Sequence, residues 1–344
     1  MTRLRHIMLG GLAALAIGGV AGSAFAEEAA DFKNRLGGAT VGLPLGALPG
    51  PGLYTGLETA YLGWSGSTYG NQGTGAGTTH VNAIAQAVPL LFVPGWNFLG
   101  ASYSMSAVAA FYEANQLTVT PGSNSLLAGT AVGIVYVVAN PTLNPINLSW
   151  NLGNGWFVAA GLNVQVPIGT NNSNLTNPDY WTIEPTFAIS YLANNWVLSA
   201  NMFYQFNLAS GGTCCSGVAG LIPAAAQNGF VNGQEFFLDM TAAYKFGKWE
   251  IGPVAYLLAQ TTSDRPGGGF TCALANVVSP STCGMERDFA IGGLIGYDFG
   301  PVDLQVWVTD SVFHQDTIDG FNVWTRIGFK LWGPEAPKPL VAKN

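Results

Sequence analysis

Hydrophobic and polar residues alternate with a period of two through most of the chain. In "WTIEPTFAISYLANNWVLSANMFYQFN" (181–207), Trp181, Ile183, Pro185, Phe187, Ile189 and Tyr191 share one side, and Thr182, Glu184, Thr186, Ala188 and Ser190 the other. After "ANN", Trp196, Leu198, Ala200, Met202, Tyr204 and Phe206 alternate with Ser199, Asn201, Gln205 and Asn207. Successive side chains of a strand point to opposite faces, so each half reads as a β-strand with one greasy face and one polar face. The same alternation recurs around Leu57, Tyr103, Val158, Leu238, Ile251 and Ile327.

The pattern predicts about twelve strands, over 53–64, 80–93, 96–111, 126–152 (interrupted), 155–167, 180–192, 195–208, 233–247, 248–263, 286–299, 302–314 and 321–332. Short connections ("PGW", "NLGNGW", "ANN", "FGKW", "FGPV") alternate with long ones at 65–79, 112–125, 168–179, 209–232 and 264–285, with a shorter "HQDTIDG" at the end. Strands of this length suit a tilted membrane crossing. Alternating short and long connections mark an outer-membrane barrel with short periplasmic turns and long extracellular loops. The expected fold is therefore all-β: an antiparallel transmembrane β-barrel of about twelve strands. Its greasy face meets lipid and its polar face lines the lumen. Trp156, Trp181, Trp196, Trp249 and Phe299, near strand ends, fall where interfacial girdles sit.

Composition supports a membrane barrel. Hydrophobic residues make up 49% of the 344, yet only 9% are charged, against about 25% in soluble domains. The opening "MTRLRHIMLGGLAALAIGGVAGSAFAEE" has two arginines, an apolar run and an Ala-Phe-Ala site, the form of a secretory signal peptide cleaved after Ala26. Residues 27–344 then carry ten Lys and Arg against nineteen Asp and Glu, a net charge of −9. No basic run offers a footprint for nucleic acid. The longest later apolar run, 126–140, falls short of the about 20 residues a spanning helix needs.

Domain organisation follows: a signal peptide at 1–26, an N-terminal segment at 27–52, the barrel at 53–332 and a C-terminal periplasmic tail at 333–344. The segment 27–52 is rich in Gly and Pro and lacks strand period. It reads either as a flexible periplasmic tail or as a plug inside the barrel, whose lumen at about twelve strands is narrow enough to be largely filled. Pro141 and Pro145 interrupt the fourth strand. A proline cannot donate to the ladder, so they mark an elongated turn or, alternatively, a lateral opening in the wall.

Candidate chemistry is sparse. Cys214, Cys215, Cys272 and Cys283 all fall in long outer loops and suggest disulfides. Of the three pairings that four cysteines allow, Cys272–Cys283 closes the loop "CALANVVSPSTC". No histidine lies near them in sequence, which argues against a metal site. Ser311, His314 and Asp310 or Asp316 are the nearest thing to a hydrolase set. In a regular strand, however, Ser311 and His314 face opposite sides, so no catalytic residue is assigned. Glu58, Glu184, Asp239, Lys245 and Arg326, with Tyr256, Trp307 and Trp324, fall on the lumen side and make the candidate solute path. Mixed aromatic and polar lining suits small apolar solutes with one polar group.

Five stretches carry a resemblance: "LPGPGLY", "LSWNLGNGWFVAAGLNVQVPIGT", "NPDYWTIEPTFAISYL", "GQEFFLDMTAAYKFGKWEIGPVAYLLAQTTSD" and "GYDFGP". In this order they resemble the family described as Putative MetA-pathway of phenol degradation. The resemblance implies a bacterial outer-membrane barrel related in type to long-chain fatty-acid channels, one that helps hydrophobic or aromatic compounds cross. Its partners would be outer-membrane lipid and a small hydrophobic solute, with the barrel a monomer or an oligomer. It implies no cofactor and no enzymatic activity. A structural or interaction barrel with a packed lumen is the alternative.

Overall fold

The computed structural model describes residues 34–67, 78–120, 129–170, 178, 180–208, 230–263, 265–266, 285–315, 317 and 319–334. Twelve strands form the wall. They are β1 (Gly52–Ser67), β2 (Thr78–Val93), β3 (Ala101–Thr120), β4 in two segments (Gly129–Val138 and Thr142–Gly153), β5 (Trp156–Gln165) and β6 (Thr182–Ala193). They continue as β7 (Trp196–Asn207), β8 (Glu235–Phe246), β9 (Trp249–Gln260), β10 (Arg287–Asp298), β11 (Val302–Gln315) and β12 (Asp319–Trp332). Every strand pairs antiparallel with its sequence neighbour, and β1 pairs with β12, which closes the sheet. Closure leaves no open edge in the hydrocarbon, which cannot hydrogen-bond exposed backbone.

Two turns explain the tight hairpins. Asn154 and Gly155 have φ of 52° and 85°, and Asn194 and Asn195 have 52° and 66°. A two-residue turn that matches strand twist needs positive φ at both central residues, and Asn and Gly tolerate it best. The aromatic girdle forms around these turns and the turn at Gly247–Lys248. Trp156 packs on Tyr191, Trp196 on Tyr244 and Trp249 on Tyr297, with ring centroids 4.9, 5.1 and 4.7 Å apart.

Burial follows the period of two. On β7, Val197, Ser199, Asn201, Phe203, Gln205 and Asn207 are buried, while Trp196 and Phe206 are exposed. Polar residues therefore face inward and aliphatic and aromatic ones face lipid. Near the middle of β6, Ala188 is 5% exposed and its neighbour Phe187 45%, with Ala160 and Met202 opposite it on the flanking strands. An arginine at position 187 would meet the bilayer core. Phe187→Arg is expected to lower unfolding stability by about 2–4 kcal/mol, read as a shift in the urea midpoint of the refolded protein.

The core sits inside the barrel and is two-sided. Ala60, Leu62, Val81, Ala83, Ala85, Tyr112, Val137, Leu294, Trp307 and Trp324 form an apolar arc on β1–β4 and β10–β12. Across from it, Ser190, Ser199, Asn201, Gln205, Asp239 and Thr241 form a polar arc on β6–β8.

Strand β4 breaks over residues 139–141 and resumes at Thr142, with Pro145 beside a bulge between Leu143 and Ile146. The prolines thus interrupt the strand without turning it. Hydrogen bonds span the break: Ala139 N–H to Ala110 O, Val166 N–H to Pro141 O and Thr170 N–H to Val138 O, at 2.8, 3.1 and 2.9 Å.

A second bulge corrects the strand-parity argument. The β10–β11 register shifts between Phe289 and Ala290, setting Ala290 opposite Ser311 and Asp288 opposite His314. Val312 is the extra residue, so Ser311 and His314 share the inward face. Asp310 lies opposite the lipid-facing Ile291. Asp316, the four cysteines, the signal segment and residues 335–344 lie outside the described residues.

Candidate functional site

Residues 34–51 make no strand pairing and contact the inward side chains of the wall. The segment begins against the loop-side end of β6. There Asn34 donates to Thr182 Oγ1 at 2.9 Å. Arg35 forms a two-pronged ion pair with Glu184, Nε to Oε2 at 3.0 Å and Nη2 to Oε1 at 2.9 Å. Two planar N–H bonds to one carboxylate fix orientation as well as charge. Asn163 and Gln205 donate to the same carboxylate at 2.6 and 2.8 Å. The Arg35 guanidinium also lies 3.5 Å from the centroid of the Phe203 ring. Burial alone would lower the Arg35 pKa, but Glu184, with the charges of Asp239 and Glu58, outweighs it and raises it above the ordinary value.

Further along, the backbone itself is the ligand of the wall. Asp239 accepts the amides of Gly38 and Thr40 at 2.9 and 2.8 Å and the Thr40 hydroxyl at 2.6 Å. Gly42 N–H donates to Thr241 Oγ1 at 2.8 Å and Gly46 N–H to Ser190 Oγ at 3.0 Å. Carbonyls are met too. Arg326 donates to Val41 O and Ala39 O, both at 2.7 Å, Asn201 to Leu43 O at 2.9 Å, and Ser149 to Gly46 O at 2.7 Å. These partners come from β4, β6, β7, β8 and β12, on opposite sides of the barrel. Buried backbone groups need such partners, and here the wall's side chains supply them.

Glycine lets the segment lie this close. A Cβ at Gly37 would stand 2.6 Å from the Tyr256 ring, and one at Gly46 2.8 Å from Ser190 N and 2.9 Å from Phe157 O. Gly38 and Gly42 adopt φ of 79° and 81°, which glycine reaches without steric cost.

Most of the sequence candidates fall on the lumen. Glu184 and Trp307 are 0% exposed, Asp239 2%, Tyr256 and Trp324 4%, and Arg326 7%. Glu58 faces Arg326 directly across the β1–β12 seam, Nε to Oε1 at 2.6 Å. Lys245 is placed elsewhere. It sits at the short-turn rim with a side chain 56% exposed, 3.7 Å from Glu250. Sequence reasoning did not single out Arg35, Thr40, Ser149, Thr241 or Gln305. Only their placement at inward positions, or within the unpatterned N-terminal segment, hinted at a role.

A closed twelve-stranded barrel, greasy outside and with an N-terminal segment bonded across its lumen, is an outer-membrane β-barrel protein of bacteria. The chain belongs to the family described as Putative MetA-pathway of phenol degradation, which matches residues 65–327. Its fold is similar to the COG4313 outer membrane channel from Pseudomonas putida F1, at TM-score 0.59 and 10% identity, covering 82% of this chain and 96% of that one. Looser likenesses include the P. putida toluene transporter TodX (TM-score 0.40, 9% identity, 88% and 95% covered). Another is the CymD monoaromatic hydrocarbon channel (TM-score 0.37, 10% identity, 90% and 94% covered). No curated protein matches the chain.

Proposed function

We propose that the protein is a passive outer-membrane channel for small hydrophobic or aromatic compounds, and that residues 34–51 are its plug. The observation that carries the reading is the two-sided lumen. The segment 34–51 crosses that lumen without strand pairing, held to the wall by at least a dozen hydrogen bonds that involve side chains, which is the form of a plug rather than of a further piece of wall. An apolar arc with stacked tryptophans suits an aromatic solute, and the polar arc holds the plug. Membership of a family named for phenol degradation, and fold likeness to an outer membrane channel, agree with this reading.

The test is uptake by cells that lack their own aromatic channels. Micromolar radiolabelled phenol and toluene are expected to enter severalfold faster with the protein than without it. Equal rates would leave the structural barrel as the better account.

A lumen-facing hydrolase is the second reading, drawn from the bulge that sets Ser311 and His314 on one face. Against it, Asp288 Oδ2 accepts the Tyr256 hydroxyl at 2.7 Å. Fluorophosphonate is expected to leave Ser311 unlabelled, and labelling would revive the hydrolase.

A further inference from the structure

The polar groups of the lumen are paired almost everywhere the plug touches the polar arc. Among the described residues, the buried donors without a partner gather on the apolar arc. Trp307 and Trp324 stand directly opposite each other on β11 and β12, with rings stacked at 5.4 Å and 5°. One step toward the loops, Thr309 stands opposite Asn322. Among the described residues, the indole N–H groups of Trp307 and Trp324 and the hydroxyls of Thr309 and, one inward step further on β11, Ser311 have no hydrogen-bond partner. The tryptophans and Thr309 are at least nine-tenths buried. A buried donor left unpaired is costly to keep, and four neighbours without partners need an explanation.

The neighbours sharpen it. Just above, Trp64 donates to Asn322, Asn322 to the Tyr256 hydroxyl, and Tyr256 to Asp288, at 2.8, 3.3 and 2.7 Å. Just below, Arg326 lies 4.6 Å over the Trp307 ring and is fully engaged by Glu58, Gln305 and the plug. Between them the tryptophans pack in one apolar cluster with Val41 of the plug, which Leu36 and Ala39 extend. The plug offers this corner only aliphatic groups, which satisfy the rings and leave the donors unanswered.

We infer that this corner is the solute's own binding site and that Leu36, Ala39 and Val41 occupy it in the solute's stead. The occupant the site fits is a small aromatic ring bearing one hydrogen-bond acceptor, such as a phenolic oxygen. The ring replaces the aliphatic groups against the tryptophans, and the oxygen accepts from the orphan donors. Solute entry and plug displacement are then the same event. This inference rests on the channel reading above.

Trp307→Phe and Trp324→Phe, combined, keep an aromatic ring at both positions and remove both N–H donors. Initial uptake of phenol and of toluene is measured in the same cells, with Thr309→Val as a second variant of near-equal volume. Heat-modifiable gel mobility checks that each variant folds. The expected result is phenol uptake reduced about tenfold, the ratio one lost neutral hydrogen bond carries, with toluene uptake unchanged within about twofold. An unchanged phenol-to-toluene ratio in both variants would overturn the assignment while leaving the channel intact. Were the unaltered protein to admit neither compound, the channel reading would fail, and this inference with it.

Discussion

Glu184→Ala is expected to free the N-terminal segment from the wall. The amides of Gly38, Thr40, Gly42 and Gly46 should exchange with deuterium at least about a hundredfold faster. Glu184 is fully buried and is the only acidic partner of Arg35 among the described hydrogen bonds. Removing one member of a buried ion pair costs about 3–5 kcal/mol, because the remaining charge is left in a poor dielectric. The folded chain has an inexpensive escape: the segment can leave the lumen and take Arg35 to water. Glu184 also accepts from Asn163 and Gln205 on the flanking strands, but the backbone ladder of β6 does not run through its side chain, so the barrel stays closed while the segment loosens. The cost then appears as local opening rather than global unfolding. Since every 1.4 kcal/mol is a factor of ten, even the lower figure exceeds a hundredfold. Unchanged exchange at these four amides would show that Asp239 and Arg326 hold the segment without help.

Arg326→Ala should act on the whole fold. Arg326 joins Glu58 across the seam where the first and last strands meet, Gln305 on β11, and the carbonyls of Ala39 and Val41. Its loss leaves the Glu58 carboxylate, 13% exposed, without its cation, and strips two buried carbonyls of donors. The expected fall in unfolding free energy is about 3–5 kcal/mol, read from the urea midpoint. Replacing both partners tests the cause. Glu58→Gln with Arg326→Met removes both charges, and a neutral pair of similar volume is often close to neutral in stability. The double variant should therefore recover most of the loss. If it is as unstable as Arg326→Ala alone, the arginine acts through the plug carbonyls rather than through the seam.

The wall was legible in the sequence because its physics is local. Alternation along Trp196–Asn207 sorts lipid from lumen residue by residue, and the "ANN" and "NLGNGW" turns announce their hairpins. The same logic put Glu58, Glu184, Asp239, Arg326, Tyr256, Trp307 and Trp324 inside the barrel. It erred where parity is broken or where a strand runs out. One extra residue at Val312 turns Ser311 and His314 to the same face. Lys245, near the end of β8, reaches the rim instead of the lumen. The contacts of residues 34–51 could not be read at all. Arg35 and Glu184 are 149 positions apart and Arg326 and Val41 are 285 apart, and the segment has no period to reveal which side it presents. Glycines that fitted a flexible tail as well as a plug are what permits close approach to Tyr256 and Ser190. The apolar half of the lumen was also hidden, since on β2 the inward Val81, Ala83 and Ala85 alternate with Asn82, Ile84 and Gln86, which reverses the usual order of greasy outside and polar inside.

The central claim is that residues 34–51 close a conduit through the barrel. Single-channel conductance in a planar bilayer tests it directly, comparing the refolded chain beginning at Glu27 with the same chain lacking residues 27–46. The account predicts near silence from the first and steady conductance from the second. Equal conductance from both, or silence from both, would contradict it: the first would mean a permanently open pore, the second a lumen filled by the wall alone.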